Sequence, residues 1–404
     1  VPFVCALLAA AASAAVAPNA RLRLPGITLG ILAAVAVGLS ARAPLIDLPA
    51  IPAEAGSDAK PLFQELSDPR LGAKIVYTDW NAFARTDVVA YARPDGTYHP
   101  EDDLYVYTDG EVPTNLIHFD GDLRHVADRY ERFIGFLPFR TLRPDRVLLI
   151  GPGAGLDVLL ALAVGTREIE GAELNPSMAP IVRRYRDFAG PLYDYTNVNV
   201  ALAEGRSYVR RSDQRYDLIY MALTKTATTA SSSLALVESY VHTVEGFQDY
   251  LAHLTEHGQL AIVGQHPLVL ARMVVTGVEA LEREGMSRAE ALRHVSVFSV
   301  PRSQYYMGPY RHLVTVYRRA LEPAQAQELA RTAIALGLEP VYVPGALELA
   351  PFSWMAQTAT GAEFVAAFDR WWVDGDVDIQ PRTDDQPFVI DFHPGIPPAM
   401  LRFV

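Results

Sequence analysis

The chain has 404 residues, 50% hydrophobic and only 20% charged, enough for two or three domains with a large buried core. Its formal net charge of −12, with no basic stripe to offset it, excludes a nucleic-acid backbone as partner. The single cysteine, Cys5, excludes an intrachain disulfide and a cysteine-based metal cluster.

Pro2 to Ala17 carries no charge, Arg21 and Arg23 interrupt, and Pro25 to Ala41 is again uncharged and apolar. Each run is at the short end for a bilayer-spanning helix, which needs roughly 20 residues. A signal peptide would begin with Met and a basic segment; this sequence starts at Val1 with neither, and reads as cut at its start. Residues 1–42 are therefore expected to form a transmembrane helical hairpin, with the lipid bilayer of the cell inner membrane as partner. The positive-inside rule would put the Arg21/Arg23 loop in the cytoplasm and the large remainder outside.

Residues 43–73, with Pro49, Pro52 and the polar cluster Glu54 to Lys60, read as a linker. From Lys74 the pattern changes to short alternating runs, KIVYTDW, TDVVAYA, DLYVYTDG and TNLIHFDGD, separated by turn signals such as Pro94-Asp95-Gly96 and Asp109-Gly110. Residues 74–140 are thus a small antiparallel β-domain followed by a bridging helix, Arg124 to Phe139, in which Tyr130, Phe133, Ile134 and Leu137 fall at helical spacing and read as core.

Residues 141–322 carry the pattern of a nucleotide-binding crossover fold. Val147 to Ile150 is a short apolar run of the kind buried on both faces of a parallel sheet. Gly151, Gly153 and Gly155 follow, a turn in which backbone can approach a ligand ahead of a helix with free N-terminal amides. A second strand, Glu168 to Leu174, places Glu173 where a ribose-binding carboxylate belongs, and Asn175-Pro176 reads as the cap and first residue of a helix. A third strand, Val198 to Ala203, ends at Glu204-Gly205-Arg206, and a fourth spans Tyr216 to Met221. Arg183, Arg184 and Arg186 share one helix and read as a solvated face. This alternation means a doubly wound, mostly parallel Rossmann-like α/β sheet with its ligand at the carboxyl ends of the strands.

The Thr- and Ser-rich stretch Ala222 to Ser233 reads as either a substrate lid or a mobile connection, ahead of a long helix from Leu234 to Leu254 and a strand from Gln259 to Gly264. A helix from Pro267 to Glu284 and strands at Val295 to Val300 and Leu313 to Tyr317 follow. Residues 323–404 form a C-terminal α/β extension with helices Pro323 to Leu336 and Ala362 to Trp372. Its aromatic pairs read as core or interface anchors, and the placement of Asp384 and Asp385 is left open.

The segments GPGAGLDVLLAL, AELNP, AEGRSYVRRS, YDLIYM and LVESYVHTVEGFQDYLAHL, in that order, resemble the class I S-adenosylmethionine fold of the spermidine synthase family. With DIQPRTDDQPF they are similar, more narrowly, to bacterial membrane-fused spermidine synthase-like proteins, over roughly Lys74 to Phe392. The resemblance implies that the membrane hairpin ends a longer set, that the β-domain walls the substrate cleft with WNAFARTDVV as its opening strand, and that S-adenosylmethionine or its decarboxylated form is the cofactor, without a metal. A cytoplasmic soluble region follows from where that cofactor is made. The expected cofactor-binding residues are Gly151, Gly153, Gly155, Asp157, Glu173, Glu204 and Gly205: Glu173 to accept from the ribose hydroxyls, the glycines beneath the methionine part, Glu204 and Gly205 at the adenine.

Aminopropyl transfer needs a neutral amine nucleophile, hence a carboxylate to hold the diamine and take its proton. In spermidine synthases a D-S-S-D-P type segment after the fourth strand supplies it, but here Ala222 and Lys225 stand at the two aspartate positions. Pro113 stands near the usual glutamine after the Asp-Gly turn, and no Tyr-His-Glu segment precedes the nucleotide fold. Ordinary spermidine synthesis is therefore not expected. The preferred reading is a membrane-anchored transferase acting on a non-diamine acceptor, with Lys225, His242 and Tyr240 as catalytic candidates and Thr224, Thr226 and Glu238 beside them in the cleft. Lys225 would hold an anionic acceptor and His242 serve as base; an exposed loop lysine and a helix-surface histidine are the competing readings. Two further readings are a non-catalytic pseudo-enzyme, an accessory subunit of a membrane-protein complex or homodimer, and a ligand sensor without turnover.

Overall fold

The computed structural model describes residues 9, 10, 12, 20–40, 60–111, 113–224, 239–372 and 377–388. The chain divides into two compact units, Val1–Gly56 and Ser57–Val404.

In the first unit the described element is one helix, Ala20–Ser40, of 21 residues. Arg21 and Arg23 lie in its first turn and Pro25 inside it, so its uncharged stretch begins only at Leu24 and falls short of the roughly 20 apolar residues a bilayer crossing takes. Among the described residues no helix is long and apolar enough to cross a membrane. This overturns the expected transmembrane hairpin and the inner-membrane placement; most of the Pro2 to Ala17 run lies outside the described residues.

The second unit holds two sheets. The smaller is a four-stranded antiparallel meander, β1 (Lys74–Trp80), β2 (Arg85–Ala90), β3 (Leu104–Thr108) and β4 (Pro113–Leu116), in sequential order as the alternating runs require. The larger has nine strands: β5 (Arg146–Ile150), β6 (Glu168–Glu173), β7 (Val198–Leu202), β8 (Tyr216–Ala222), β9 (Leu254–Gly264), β10 (Val295–Ser299), β11 (His312–Tyr317), β12 (Glu339–Val343) and β13 (Leu347–Glu348). Their order across the sheet is β13-β12-β10-β11-β9-β8-β5-β6-β7. Pairings from β7 through β9 are parallel and those from β9 to β13 antiparallel, so only β11 and β12 run against the others.

The central strand behaves as its composition dictates. Val147, Leu148 and Leu149 are wholly buried and Ile150 nearly so, each side chain contributing roughly 1.5–3 kcal/mol by leaving water. Helices cover both faces: Leu156–Ala163 and its neighbours on one side, and Val244–Ala252 with Pro267–Arg283 on the other.

Three local expectations shift. The bridging helix is broken into Leu123–Arg129, a short 3-10 turn and Leu137–Leu142, Pro138 starting the last piece; Ile134 and Leu137 are buried. The helix after Asn175-Pro176 begins later, at Met178, because the Asn175 carboxamide accepts from Ser177 N and makes a turn first. The expected long helix to Leu254 is Val244–Ala252 among the described residues, capped by Thr243, whose hydroxyl accepts from Gly246 N, and β9 starts at Leu254.

Candidate functional site

A cavity of about 680 Å³ opens at the carboxyl ends of β5, β6, β7 and β8. Its wall combines the ends of those parallel strands, Thr108, Glu111, Pro113 and Thr114 of the small sheet, the segment from Ser239 to Val241, and Asp384 from the far C-terminal region.

Glu173 ends β6 inside the cavity wall, 8% exposed. Its Oε2 accepts from Gly153 N at 3.0 Å and its Oε1 from Asn175 N at 2.8 Å. Burial raises its carboxyl above the ordinary range, while amides of Asn175, Gly153 and Leu174 pull the other way. Each carboxylate oxygen has more than one lone pair, so both can still accept from a ligand hydroxyl.

Asp157, in the first turn of helix Leu156–Ala163, is a second buried cavity carboxyl, 6% exposed. It makes no hydrogen bond or ion pair with any described residue. Desolvation pushes its pKa from 3.8 to about 8. The phenols of Tyr193, Tyr220 and Tyr310 feel its charge; Tyr193 and Tyr220 are buried, and Tyr310, half-buried, is the one of the three that lines the cavity.

The glycine turn is held from several sides. Gly151, Gly153 and Gly155 all have positive φ, at 68, 58 and 102°. A Cβ on Gly153 would stand 2.4 Å from Thr114 Oγ1, and Thr114 Oγ1 accepts from Ala154 N at 3.1 Å. The turn therefore carries the small sheet on its back, while Gly151 and Gly153 line the cavity. Gly155 is not on the cavity wall; its open side meets Leu192, at 2.7 Å from an added Cβ.

Glu204 and Gly205 line the cavity, but both already serve the fold. Glu204 caps helix Gly205–Arg211, Oε1 accepting from Arg206 N at 2.9 Å and Oε2 from Ser207 N at 2.7 Å. A Cβ on Gly205 would stand 2.4 Å from Ile150 Cγ2, so glycine lets this helix start against β5.

The catalytic candidates separate. Tyr240 lines the cavity at 41% exposure, and Ala222 and Thr224 line it at the end of β8. His242 is buried and off the cavity wall; Nδ1 meets Ser239 Oγ at 2.8 Å and Nε2 meets Thr224 Oγ1 at 3.2 Å. Burial pushes its pKa down to about 4, so it sits neutral behind Thr224, poorly matched to a base working near pH 7. Lys225, Thr226 and Glu238 lie outside the described residues. Among the described residues no group of three or more His, Cys, Asp or Glu side chains could hold a metal ion.

Thr114 and Asp384 are among the wall residues that sequence reading missed. Thr114 has no local signal, since its role exists only once β4 meets the glycine turn. Asp384 stood in a marked motif, but its direction depends on Arg206, 178 residues away in the chain, whose Nη1 meets Asp384 Oδ1 at 2.5 Å.

A mostly parallel sheet with a glycine turn after its central strand, an acid at the end of the next, and a small antiparallel sheet beside the cavity define a Rossmann-like α/β fold. No family model matches the chain, and no curated protein matches it. It is similar to a solved spermidine synthase in complex with the transition state analogue AdoDATO, at 14% identity over 65% of this chain and 84% of that one, with a TM-score of 0.42. The spermidine synthase from Thermotoga maritima gives 14%, 65%, 84% and 0.43 in the same terms. A probable spermidine synthase from Corynebacterium glutamicum gives 17% identity over 80% of this chain and 98% of that one, with a TM-score of 0.48.

Proposed function

We propose that the protein binds an adenosyl sulfonium, S-adenosylmethionine or its decarboxylated form, and transfers an alkyl group from its sulfur to an acceptor, the C–S bond breaking to leave the neutral thioether. The observation that carries this reading is the pair of buried cavity carboxyls with opposite surroundings, Glu173 fixed by backbone amides and Asp157 without a partner among the described residues. Glu173 suits a pair of ribose hydroxyls, which need an acceptor held still. Asp157, beside the glycine turn, suits the cationic end of the ligand, because a buried carboxylate gains most from a positive partner. Leu174, Ala203, Tyr240 and Val241 give the other end of the cavity apolar faces for a flat base.

Of the cationic side chains described on the cavity wall, Arg206 and Arg210, neither pairs with Asp157: Arg206 is engaged by Asp249 and Asp384, and Arg210 faces Asp249. The decarboxylated cofactor, which brings an amine and no carboxylate, therefore fits the Asp157 end better. In this reading His242 keeps a positioning role behind Thr224, and Tyr240 and Thr224 face the transfer region.

Equilibrium binding of S-adenosylmethionine, its decarboxylated form and methylthioadenosine tests this. Micromolar binding that weakens by about 10-fold or more in Glu173→Ala is expected, as a hydrogen-bonded charged acceptor is worth roughly 1.5–3 kcal/mol. Absence of binding at millimolar ligand would sink the proposal.

A further inference from the structure

Glu204 caps its helix with one lone pair of each oxygen and keeps the remainder, as Glu173 does, while Gly205 offers no side chain. A second acid reaches that wall, Asp384, from the segment 377–388.

Asp384 is held by three hydrogen bonds. Its Oδ1 accepts from Arg206 Nη1 at 2.5 Å and from Thr243 Oγ1 at 2.8 Å, and its backbone N donates to Glu245 Oε2 at 3.0 Å. The flanking backbone is fastened as well, Val244 N donating to Arg382 O at 2.8 Å and Ser239 N to Pro387 O at 2.8 Å. Arg206 is itself fixed on its other edge by Asp249, Nε to Oδ2 at 2.6 Å. Asp384 Oδ2 accepts nothing from any described residue, and the side chain is 40% exposed. Burial works to raise its carboxyl, but Arg206 and Thr243 hold it below the ordinary range, so at neutral pH it is an acceptor only.

We infer that Asp384 is a specificity residue that reads the amino edge of the purine, its Oδ2 accepting from the exocyclic 6-amino group. This rests on the proposed adenosyl site: with the ribose on Glu173 and the cationic end on Asp157, the base is left the wall made by Leu174, Tyr240 and helix Gly205–Arg211, whose Arg206 holds Asp384. A 6-amino group donates to a fixed carboxylate. A 6-oxo group presents a second acceptor to it and is repelled.

The experiment compares methylthioadenosine with methylthioinosine, its 6-oxo counterpart, on the full chain and on Asp384→Asn. The wild-type protein is expected to favour the 6-amino nucleoside by on the order of tenfold or more. Asp384→Asn can present its amide N–H to the 6-oxo group, so the ratio narrows about tenfold or reverses. Arg206 keeps Asp249, and the thermal midpoint of the variant reports whether the wall stays in place. An unchanged ratio in a folded variant overturns the inference alone, as does equal wild-type binding of the two nucleosides. Binding of neither overturns the adenosyl site and this inference with it.

Discussion

Asp157 and Glu173 show how one residue type takes two roles through its surroundings. Both are buried acids on one cavity, yet only Glu173 is met by backbone amides. Asp157, with a pKa of about 8 against an ordinary 3.8, is protonated at neutral pH in the empty site. A cationic ligand favours the ionised form, so binding below about pH 8 releases this proton. Affinity for decarboxylated S-adenosylmethionine should therefore fall as pH drops below about 8, by up to about tenfold per unit. Asp157→Asn should bind more weakly and lose that slope; titration calorimetry in buffers of different ionisation enthalpy reads both, and an unchanged slope in the variant would show that another group carries it. Without ligand the sign is that of a raised acid. The stability tied to protonated Asp157 is full below its unfolded value near 3.8 and is lost as pH rises through about 8.

Among elements, the turn after β5 couples the two sheets. Gly153 needs its missing side chain twice, for a φ of 58° and for the approach of Thr114. Gly153→Ala should cost about 1–2 kcal/mol of left-handed strain, and more from the contact with Thr114 Oγ1. Adding Thr114→Ala should restore the contact part and leave the strain. Urea unfolding of both single variants and the double variant measures this coupling; strictly additive changes would mean the two residues do not press on each other.

For the whole molecule, the cavity exists because the small sheet is pinned to the end of β6. Asn175, 4% exposed, donates to Thr86 Oγ1 at 2.9 Å and Thr108 Oγ1 at 3.2 Å, and Asn81 Nδ2 donates to Ser177 Oγ at 2.5 Å. Ser177 in turn donates to Asp79 Oδ2 at 2.5 Å. Asn175→Ala would leave buried hydroxyls without their partner, costing roughly 1–3 kcal/mol. The expected outcome is faster amide exchange in β2 and β3, with weaker ligand binding, while β5 and β8 stay protected. Loss of protection spread evenly over both sheets would refute this division.

Much of the fold was legible because its signals are local. The apolar run of β5, the alternation of β1 to β4, and the glycines before helix Leu156–Ala163 each follow from backbone sterics and burial within a few residues. The same locality misled at the N-terminus, where Arg21 and Arg23 read as a loop between two apolar runs but lie in the first turn of helix Ala20–Ser40. At His242 the spacing could not show that both ring nitrogens are engaged behind the cavity wall. Sequence by itself determined the parallel sheet, the acid at the end of β6 and the small sheet ahead of it. Tertiary structure alone decided which acids are solvated, capped or partnerless, and that Asp384 joins the wall. A carboxylate's chemistry is set by the dipoles and charges around it, and Arg206, Thr243 and Thr114 come from chain positions that only folding brings together.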